Sequence, residues 1–232
     1  MKPLAGQVTV VTGASRGIGA AVAAAFAQAG AERVVRLART LSEGESGAFR
    51  DLPCDVTDPD QVLRAAERVL RESGPPDVVI NNAGSFLLRP FEGTGIEEFE
   101  AQIAVNLRAP FAVARAFLPA MRQAGRGLHV SVGSVADHRA FPENAAYAAS
   151  KFGLRGLHET LAAEYQGTGV RLSLVSPGPT DTAAWDPVDP DNRPGVPNRA
   201  AMLRATDVAE AILFLATRPP TVTVDWLRLG PT

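Results

Sequence analysis

The sequence predicts an α/β fold of three layers, in which a doubly wound sheet of about seven mostly parallel strands has helices on both faces. Short apolar, β-branched segments alternate along its 232 residues with longer segments whose apolar residues recur every three or four positions. The first strand and helix are joined by a glycine-rich turn and followed at once by a second strand. A β-α-β unit of this kind makes the sheet parallel, since the helix returns the chain to the edge where the strand began.

The chain opens with a strand, a turn and a helix. Gln7–Val11 is apolar and β-branched, and it leads into the glycine-rich segment Thr12–Gly19. Gly30 ends the helix that follows, and Arg33–Ala38 is the second strand. The buried face of the helix is predicted to hold Ile18, Val22 and Phe26.

The second crossover is predicted to be short. Thr40–Gly47 is polar and contains glycine, and it leaves too few residues for a long helix between two strands. Asp58 and Pro59 then supply an N-cap and a first-turn proline for a helix that runs to about Ser73. The strand Asp77–Asn81 follows this helix.

A long helical stretch is predicted in the middle of the chain. Thr94 and Glu97 form a capping-box pattern, and the helical stretch continues to about Gln123. Pro110 removes one backbone donor and is expected to bend the helix. Leu128–Val132 is the next strand.

The last third of the chain is predicted to hold two helices and two strands. The helix Tyr147–Gln166 and the strand Val170–Val175 precede a loop, Pro179–Asn198, that is rich in Asp, Pro and Asn and has no helical periodicity. We interpret this loop as a mobile lid that covers the substrate. Asp207 is expected to cap the last helix, and Thr221–Leu229 is the final strand.

Composition and charge exclude several classes of protein. With 46% apolar and 21% charged residues, the chain has enough apolar material for one domain over residues 1–232, and no linker or repeat divides it. The net charge of −2 and the lack of a Lys- or Arg-rich run disfavour a nucleic-acid partner. No segment approaches the roughly 18 apolar residues of a membrane span, and the first residues do not resemble a secretory signal. We therefore predict a cytoplasmic protein without a membrane partner.

No metal site is predicted. Cys54 is the single cysteine, and His129, His138 and His158 have neither the i, i+4 spacing nor the nearby carboxylates typical of a zinc site. We interpret the histidines as structural. His138 follows Ser134 by four residues in a predicted loop, so an influence on the pH dependence of an active site stays open as an alternative.

The segment Thr12–Gly19 spaces its glycines as G-x-x-x-G-x-G between the first strand and the first helix. Glycine permits positive φ and close backbone approach, and the N-terminus of the helix offers unpaired N–H groups and a positive dipole end to a pyrophosphate. The segment therefore predicts a Rossmann-type site for a dinucleotide, with a purely structural turn as the alternative.

The end of the second strand indicates which dinucleotide is bound. An acidic residue at this position accepts hydrogen bonds from the ribose 2′-hydroxyl of NAD. Ala38 stands there instead, Arg39 follows it, and Arg16 lies within the glycine-rich turn. Two guanidinium groups suit a 2′-phosphate, so NADP(H) is predicted over NAD(H), the alternative being two solvated surface arginines.

Further motifs follow the turn in order: Cys54-Asp55-Val56-Thr57, Asn81-Asn82-Ala83-Gly84, Asn106, Ser134, Tyr147-Ala148-Ala149-Ser150-Lys151 and Pro177-Gly178-Pro179-Thr180-Asp181-Thr182. Together they resemble the short-chain dehydrogenase/reductase family in its single-domain, NADP(H)-preferring short form. The resemblance implies that Asp55 meets the adenine, that residues 82–84 run beneath the cofactor, and that residues 177–182 bracket the nicotinamide. The cofactor-binding residues predicted in this way are Gly13, Ser15, Arg16, Gly17, Ile18, Gly19, Arg39, Asp55, Val56, Asn82, Ala83, Gly84, Tyr147, Lys151, Pro177, Gly178, Thr180 and Thr182.

The resemblance also implies a catalytic tetrad of Asn106, Ser134, Tyr147 and Lys151. Ser134 would polarise the substrate oxygen, Asn106 would hold a water that bonds to Lys151, and Tyr147 would transfer the proton as hydride moves. Lys151 lies one helical turn after Tyr147, so its ammonium is expected to lower the pKa of the tyrosine and to reach the nicotinamide ribose. Phe86, Phe141 and Trp185 flank these segments as pocket walls or as ordinary packing residues.

The predicted function is an NADPH-dependent oxidoreductase that reduces a carbonyl of an aldehyde, ketone or 3-oxo compound to an alcohol, or catalyses the reverse reaction. Two alternatives are an NADP(H)-binding sensor or scaffold without turnover and a sugar-nucleotide epimerase. The predicted partner is a small-molecule substrate.

The helices around residues 99–123 and 147–166 carry more apolar surface than one buried stripe needs. Relatives in the family pair through these helices, so the resemblance implies a homodimer or homotetramer.

Overall fold

The computed structural model describes residues 2–232 and contains a central sheet between two helical layers. The strands are β1 (Val8–Thr12), β2 (Arg33–Ala38), β3 (Gly44–Ser46), β4 (Phe49–Pro53), β5 (Val78–Asn81), β6 (Gly127–Val132), β7 (Val170–Pro177), β8 (Thr180–Asp181), β9 (Leu203–Arg204) and β10 (Trp226–Leu229). The helices are α1 (Gly17–Gln28), α2 (Pro59–Ser73), α3 (Ile96–Ile103), α4 (Ala109–Ala124), α5 (Ala145–Glu164) and α6 (Ala205–Ala216). A π-helical turn at Ala104–Arg108 joins α3 to α4, and short 3₁₀ helices cover Phe91–Gly93, Val135–Asp137, Ala183–Val188 and Arg199–Ala201.

Eight strands within residues 2–232 form the main sheet in the order β10-β7-β6-β5-β1-β2-β4-β3. All neighbouring pairs are parallel except β3 and β4, which are antiparallel. The predicted fold class is confirmed. The chain moves from β1 through β2 to β4 on one side and from β5 through β6 to β7 and β10 on the other. A crevice therefore opens at the carboxyl ends of β1 and β5, the place where such folds bind ligands.

The predicted count of about seven strands omits β3, whose three residues are all exposed and carry no apolar alternation. The short second crossover is confirmed in a specific form. After β2, the chain makes a hairpin of β3 and β4 in place of a helix, and β4 then pairs in parallel with β2. The small pair β8 and β9, of which β8 lies within the predicted loop 179–198, has two residues in each strand and gave no sequence signal.

Several predicted caps and element boundaries are displaced by a few residues; the helix predicted over Tyr147–Gln166, for example, runs from Ala145 to Glu164. The capping box of α3 uses Gly95 and Glu98, whose carboxylate accepts from the Gly95 N–H at 3.0 Å. Asp207 is the third residue of α6, and its carboxylate accepts from the N–H of the N-cap residue Arg204 at 2.8 Å. The final strand is shorter than the apolar run suggested and begins at Trp226.

The predicted bend near Pro110 takes the form of the π-helical turn, which ends two residues before that proline. Pro110 is the second residue of α4 and directly follows this turn, so its missing N–H falls where the α-helical hydrogen-bond pattern is already interrupted. The wider turn carries Asn106, and π-turns of this kind often lie at functional sites.

Two apolar cores fill the spaces on either side of the sheet. Helices α1 and α6 cover one face and α2 and α4 cover the other, the latter joined by part of α5. The largest side chains in these cores include Phe26, Ile212, Phe117, Leu118 and Met121. Burial of an apolar side chain of this size stabilises the fold by about 1.5–3 kcal/mol. Within residues 2–232, none of the helices combines the length and the apolar character that a bilayer crossing requires.

Candidate active site

One cavity of about 1510 Å³ lies along the carboxyl ends of the strands. It is larger than the roughly 300–1,000 Å³ typical of pockets for drug-sized ligands. All four predicted catalytic residues and all predicted cofactor residues except Gly19 line this cavity. Gly19 lies beneath the turn, where a Cβ atom would stand 2.4 Å from the Gly13 carbonyl oxygen, so its role is close packing.

The glycine-rich turn has the backbone geometry that the sequence predicted. Gly13 and Gly17 have φ values of 65° and 57°. A Cβ atom on Gly13 would lie 2.8 Å from the Cα of Ala83, so only glycine fits there without displacing backbone. Arg16 is the N-cap of α1 and gives no side-chain cap, which leaves the first N–H groups of the helix available to an anion. This cradle fits the pyrophosphate of a dinucleotide.

Thr12 fixes the turn to the neighbouring strand, a role that the sequence analysis missed. Its hydroxyl oxygen accepts from the N–H groups of Asn82 and Ala83 at 3.0 and 2.9 Å. The Asn82 amide donates in return to the Thr12 carbonyl at 2.9 Å. These bonds clamp the ends of β1 and β5 across the crevice. A hydroxyl residue directly before the first glycine was the available signal.

The far end of the cavity carries Arg16, Arg39 and Asp55. Arg39 follows β2 with a side chain that is 73% exposed, and its guanidinium lies 3.9 Å from the Asp55 carboxylate. Partial burial raises the pKa of Asp55, but hydrogen bonds from Thr57 and the nearby Arg39 outweigh it and leave that pKa below its ordinary value. Asp55 is therefore an anion at neutral pH.

Tyr147 and Lys151 project from the first turns of α5 into the cavity. The Lys151 ammonium donates to the Val132 carbonyl at 2.9 Å and lies 5.8 Å from the centre of the Tyr147 ring. Burial lowers the pKa of Lys151 to about 8 and raises the pKa of Tyr147 to about 12. The net shift of the tyrosine is thus opposite to the lowering expected from its neighbour, because loss of hydration and the Asp137 carboxylate outweigh the hydrogen bond with Ser134.

Asn106 is fully buried in the π-helical turn. Its amide oxygen accepts from the Ser85 N–H at 3.0 Å, and its amide nitrogen donates to the Ser85 carbonyl at 3.0 Å and the Ser150 hydroxyl at 3.1 Å. The Ser150 hydroxyl donates to the Tyr147 carbonyl at 2.6 Å. Asn106 therefore joins the loop after β5 to the helix that carries Tyr147.

Ser134 follows β6 and is held by Asp137, a second residue that the sequence analysis missed. The Asp137 carboxylate is completely buried and accepts from the Ser134 N–H at 3.1 Å and from the Ser176 hydroxyl at 2.5 Å. His138 Nδ1 lies 2.7 Å from the same carboxylate, and the Trp226 indole donates to Ser176 at 2.8 Å. His138 itself does not line the cavity. An acid three residues after Ser134 in a predicted loop was a weak signal, since such acids are usually solvated.

We call the part of the cavity beyond Tyr147 the substrate chamber. Its aromatic wall is continuous: the Phe86 ring meets the Tyr147 ring edge to face at 5.1 Å, and the Trp185 ring lies 4.6 Å from Phe86. The structure therefore places the predicted aromatic residues at the pocket. The residues that define the chamber are Phe86, Leu88, Phe141, Glu143, Trp185, Arg193 and Val196.

The covering loop, residues 179–198, is organised by Arg199, which follows it. Its guanidinium donates to the carboxylates of Asp181 and Asp186 at 2.6 Å each, and it lies 3.8 Å from Asp191. A 3₁₀ helix within the loop carries Trp185 towards Phe86. The loop lacks α-helix, as expected, yet it has internal structure that the sequence did not indicate.

No metal-binding group of three His, Cys, Asp or Glu side chains exists within residues 2–232. His129 and His158 are buried, and desolvation lowers the pKa of His129 to about 3 and that of His158 below its ordinary value. Burial raises the pKa of the Cys54 thiol to about 11, which keeps it protonated and unreactive at neutral pH.

Comparison with known proteins decides the family. The model of the family described as short chain dehydrogenase matches residues 7–193. The chain belongs to this family. The resemblance inferred from the sequence motifs is confirmed, and the chain is an oxidoreductase of the short-chain dehydrogenase type.

Relatives and solved structures agree with this assignment. The D-threitol dehydrogenase of Mycolicibacterium smegmatis is 37% identical over 227 residues, which cover 92% of this chain and 87% of that protein. A metagenomic short-chain oxidoreductase solved with NADP superposes with a TM-score of 0.83 and 37% identity over 99% of each chain. The alcohol dehydrogenase of the archaeon Thermococcus sibiricus, complexed with 5-hydroxy-NADP, gives a TM-score of 0.85 and 30% identity over 97% of each chain.

Proposed function

We propose that this short-chain dehydrogenase is an NADPH-dependent reductase of aldehydes, ketones or 3-oxo compounds, and that it also oxidises the corresponding alcohols. The observation that carries the proposal is the convergence of Asn106, Ser134, Tyr147 and Lys151 on the cavity that the glycine-rich turn also lines. Neither a sensor nor a scaffold needs a protonatable tyrosine and a buried lysine beside a dinucleotide cradle.

The chain's own residues divide the work of carbonyl reduction. When bound, the nicotinamide supplies the hydride that reaches the carbonyl carbon. Ser134 donates a hydrogen bond to the carbonyl oxygen and polarises it, and Tyr147 donates its proton to the same oxygen. In the reverse direction, Tyr147 takes the proton from the alcohol. The Asn106 side chain is already bonded to Ser85 and Ser150, so the water that hydrogen-bonds to Lys151 would be held by the Asn106 backbone.

The pKa values favour this direction of proton transfer. A pKa of about 12 keeps Tyr147 protonated and ready to donate at neutral pH. A pKa of about 8 keeps most Lys151 side chains charged at neutral pH. The ammonium stabilises the phenolate that remains after donation, and this stabilisation increases as substrate excludes water from the cavity.

The preference for NADPH is proposed on the basis of Arg16 and Arg39. Both guanidinium groups line the end of the cavity next to β2, where Ala38 provides no carboxylate for a ribose hydroxyl. A phosphate between them would receive forked, charge-assisted hydrogen bonds. The metagenomic relative was solved with NADP, which supports this assignment by analogy.

The covering loop and the exposed helices carry two further parts of the proposal. Residues 179–198 cover the substrate and exclude water during hydride transfer. The chain also forms a homodimer or homotetramer through α4 and α5, because Phe111 and Phe152 on these helices are 51% and 45% exposed.

Cofactor titration combined with a substrate panel tests the proposed function. Purified protein is titrated with NADPH and NADH by fluorescence, and loss of the reduced-nicotinamide absorbance is followed with aldehydes, ketones, diketones and β-keto esters. We expect tighter binding of NADPH and its oxidation by at least one member of the panel. Tight NADPH binding without any oxidation would contradict the reductase function and favour a sensor.

A further inference from the structure

The charged side chains of the substrate chamber form an ion pair. The Arg193 guanidinium, on the covering loop, donates to the Glu143 carboxylate, which lies on the loop between Ser134 and α5. Asp186, which also lines the cavity, is bonded to Arg199 at 2.6 Å. Within the described chamber, the negative charge of Glu143 thus compensates the positive charge of Arg193.

A neighbouring loop holds the backbone of Glu143 in one conformation. Glu143 has a φ of 60°, a left-handed conformation that costs a residue with a long side chain on the order of 1 kcal/mol. Its carbonyl oxygen accepts from the Arg89 N–H at 2.7 Å, which holds this conformation from the loop after β5. Asn144 and α5 follow directly, so the backbone of Glu143 is joined to the helix that carries Tyr147 four residues later. Strained residues that neighbouring structure holds in place often have a functional role.

We propose that Glu143 neutralises Arg193 and thereby makes the enzyme select uncharged carbonyl and alcohol substrates that have an apolar or aromatic portion. This inference rests on the proposed reductase function and specifies its substrate class. The apolar portion packs against Phe86 and Trp185, next to the Tyr147 hydroxyl. A substrate carboxylate in this chamber is repelled by Glu143 or must displace it from Arg193, and either effect weakens binding.

The proposal predicts a change of specificity when the compensating charge is removed. In Glu143→Gln, the side chain keeps its size while the Arg193 charge becomes available to a ligand. Arg193 then offers a carboxylate charge-assisted hydrogen bonds of the kind that it now gives to Glu143. The variant therefore gains acceptance of anionic substrates relative to neutral ones.

A pair of ketones that differ in charge provides the test. Methyl benzoylformate is neutral, benzoylformate carries a carboxylate, and both present the same phenyl ring and the same ketone to NADPH. We expect the wild-type protein to have a kcat/KM for the ester more than about tenfold above that for the acid. In Glu143→Gln the acid-to-ester ratio of kcat/KM rises by about tenfold, the size of effect expected for a hydrogen bond to a charged group.

Two further variants control this experiment. The double variant Glu143→Gln, Arg193→Gln removes both charges, and its acid-to-ester ratio returns towards that of the wild type. Glu45→Gln removes a carboxylate from an exposed ion pair with Arg33 at the edge of the sheet, outside the cavity, and leaves the ratio unchanged. Equal use of both ketones by the wild type, an unchanged ratio in Glu143→Gln, or a gain that persists in the double variant overturns the proposal.

Binding separates this inference from the reductase function. If no variant oxidises NADPH, the reductase proposal fails, and the affinities of the two ketones are measured by quenching of tryptophan fluorescence in the presence of NADP⁺. A preference for the ester in the wild type that weakens in Glu143→Gln still supports charge compensation. Equal affinities for ester and acid in both proteins reject it.

Discussion

The two ends of the cavity are held together by different means. At the cofactor end, the ends of β1, β2 and β5 are joined by hydrogen bonds in which at least one partner is a backbone group: the Gly13 N–H donates to the Leu37 carbonyl at 2.8 Å, and the Thr12 hydroxyl accepts from two backbone N–H groups. At the substrate end, side chains from separate loops meet, as in the pairs of Glu143 with Arg193 and of Phe86 with Trp185. Close backbone contacts allow only glycine and small residues at the cofactor end. The side chains that meet at the substrate end can be replaced more freely. Substrate specificity can therefore change while cofactor binding is kept.

Replacing Tyr147 with phenylalanine should have the largest effect, because it should abolish most of the catalysis while NADPH still binds. We expect kcat for carbonyl reduction to fall by about 10²–10⁴, the usual contribution of a positioned proton donor. NADPH affinity should change little, since the glycine-rich turn and Arg39 are untouched. Steady-state kinetics and fluorescence titration of the same preparation measure both effects. A variant that keeps more than a tenth of the wild-type kcat would remove Tyr147 from the proton path.

The substitution Asp137→Asn should damage the catalytic side while leaving the cofactor cradle formed. In either orientation of the new amide, its NH2 group faces a partner of the carboxylate, either Ser134 and Ser176 or His138, and its neutral oxygen accepts more weakly than the carboxylate did. The expected loss is about 2–3 kcal/mol in the free energy of unfolding, together with a lower kcat. Urea unfolding followed by circular dichroism measures the first effect. Asp191→Asn, on the exposed covering loop, is the control and should unfold like the wild type.

The pH dependence of activity should report on Lys151. A group that must be protonated and has a pKa of about 8 in the free enzyme makes kcat/KM for reduction fall as the pH rises through about 8. One pH unit above that point, about a tenth of the activity remains, because each further unit lowers the protonated fraction tenfold. Lys151→Arg keeps its charge at high pH and should lose this decline. A wild-type profile that stays flat to pH 10 would contradict the assignment.

The smallest expected effect concerns the proposed contact of Arg39 with the 2′-phosphate of NADPH. Arg39→Ala should weaken NADPH binding by about fivefold, equivalent to about 1 kcal/mol, because Arg16 remains to bind the 2′-phosphate. NADH affinity should not change. Competitive titration with the two cofactors gives the ratio directly. Equal losses for both would show that Arg39 acts on a part common to NADPH and NADH.

The sequence predicted the cofactor end of the cavity better than the substrate end, because the patterns that mark the cofactor end are local in the chain. Glycine spacing, the order of strands and the Tyr147–Lys151 helical turn are local patterns, and they predicted the fold class and the residues that the cavity brings together. Asp137 contacts Ser134 locally, but its bond with Ser176 and the bond of Glu143 with Arg193 join residues about 40 to 50 positions apart, and no local pattern marks these two contacts. The upward pKa shift of Tyr147 was also missed, since burial is a tertiary property.

The hairpin of β3 and β4 affects how these molecules behave in concentrated solution. An exposed strand at the edge of a sheet can recruit the same strand of another molecule and start aggregation. Here the edge strand has three residues, and Arg50 on its neighbour draws Glu43, Glu45 and Glu72 around it within 3.2–3.4 Å. Removing water from these closely spaced charged groups costs free energy. Because the sheet ends here in a short strand surrounded by charged side chains, polymerisation of molecules through this edge is disfavoured.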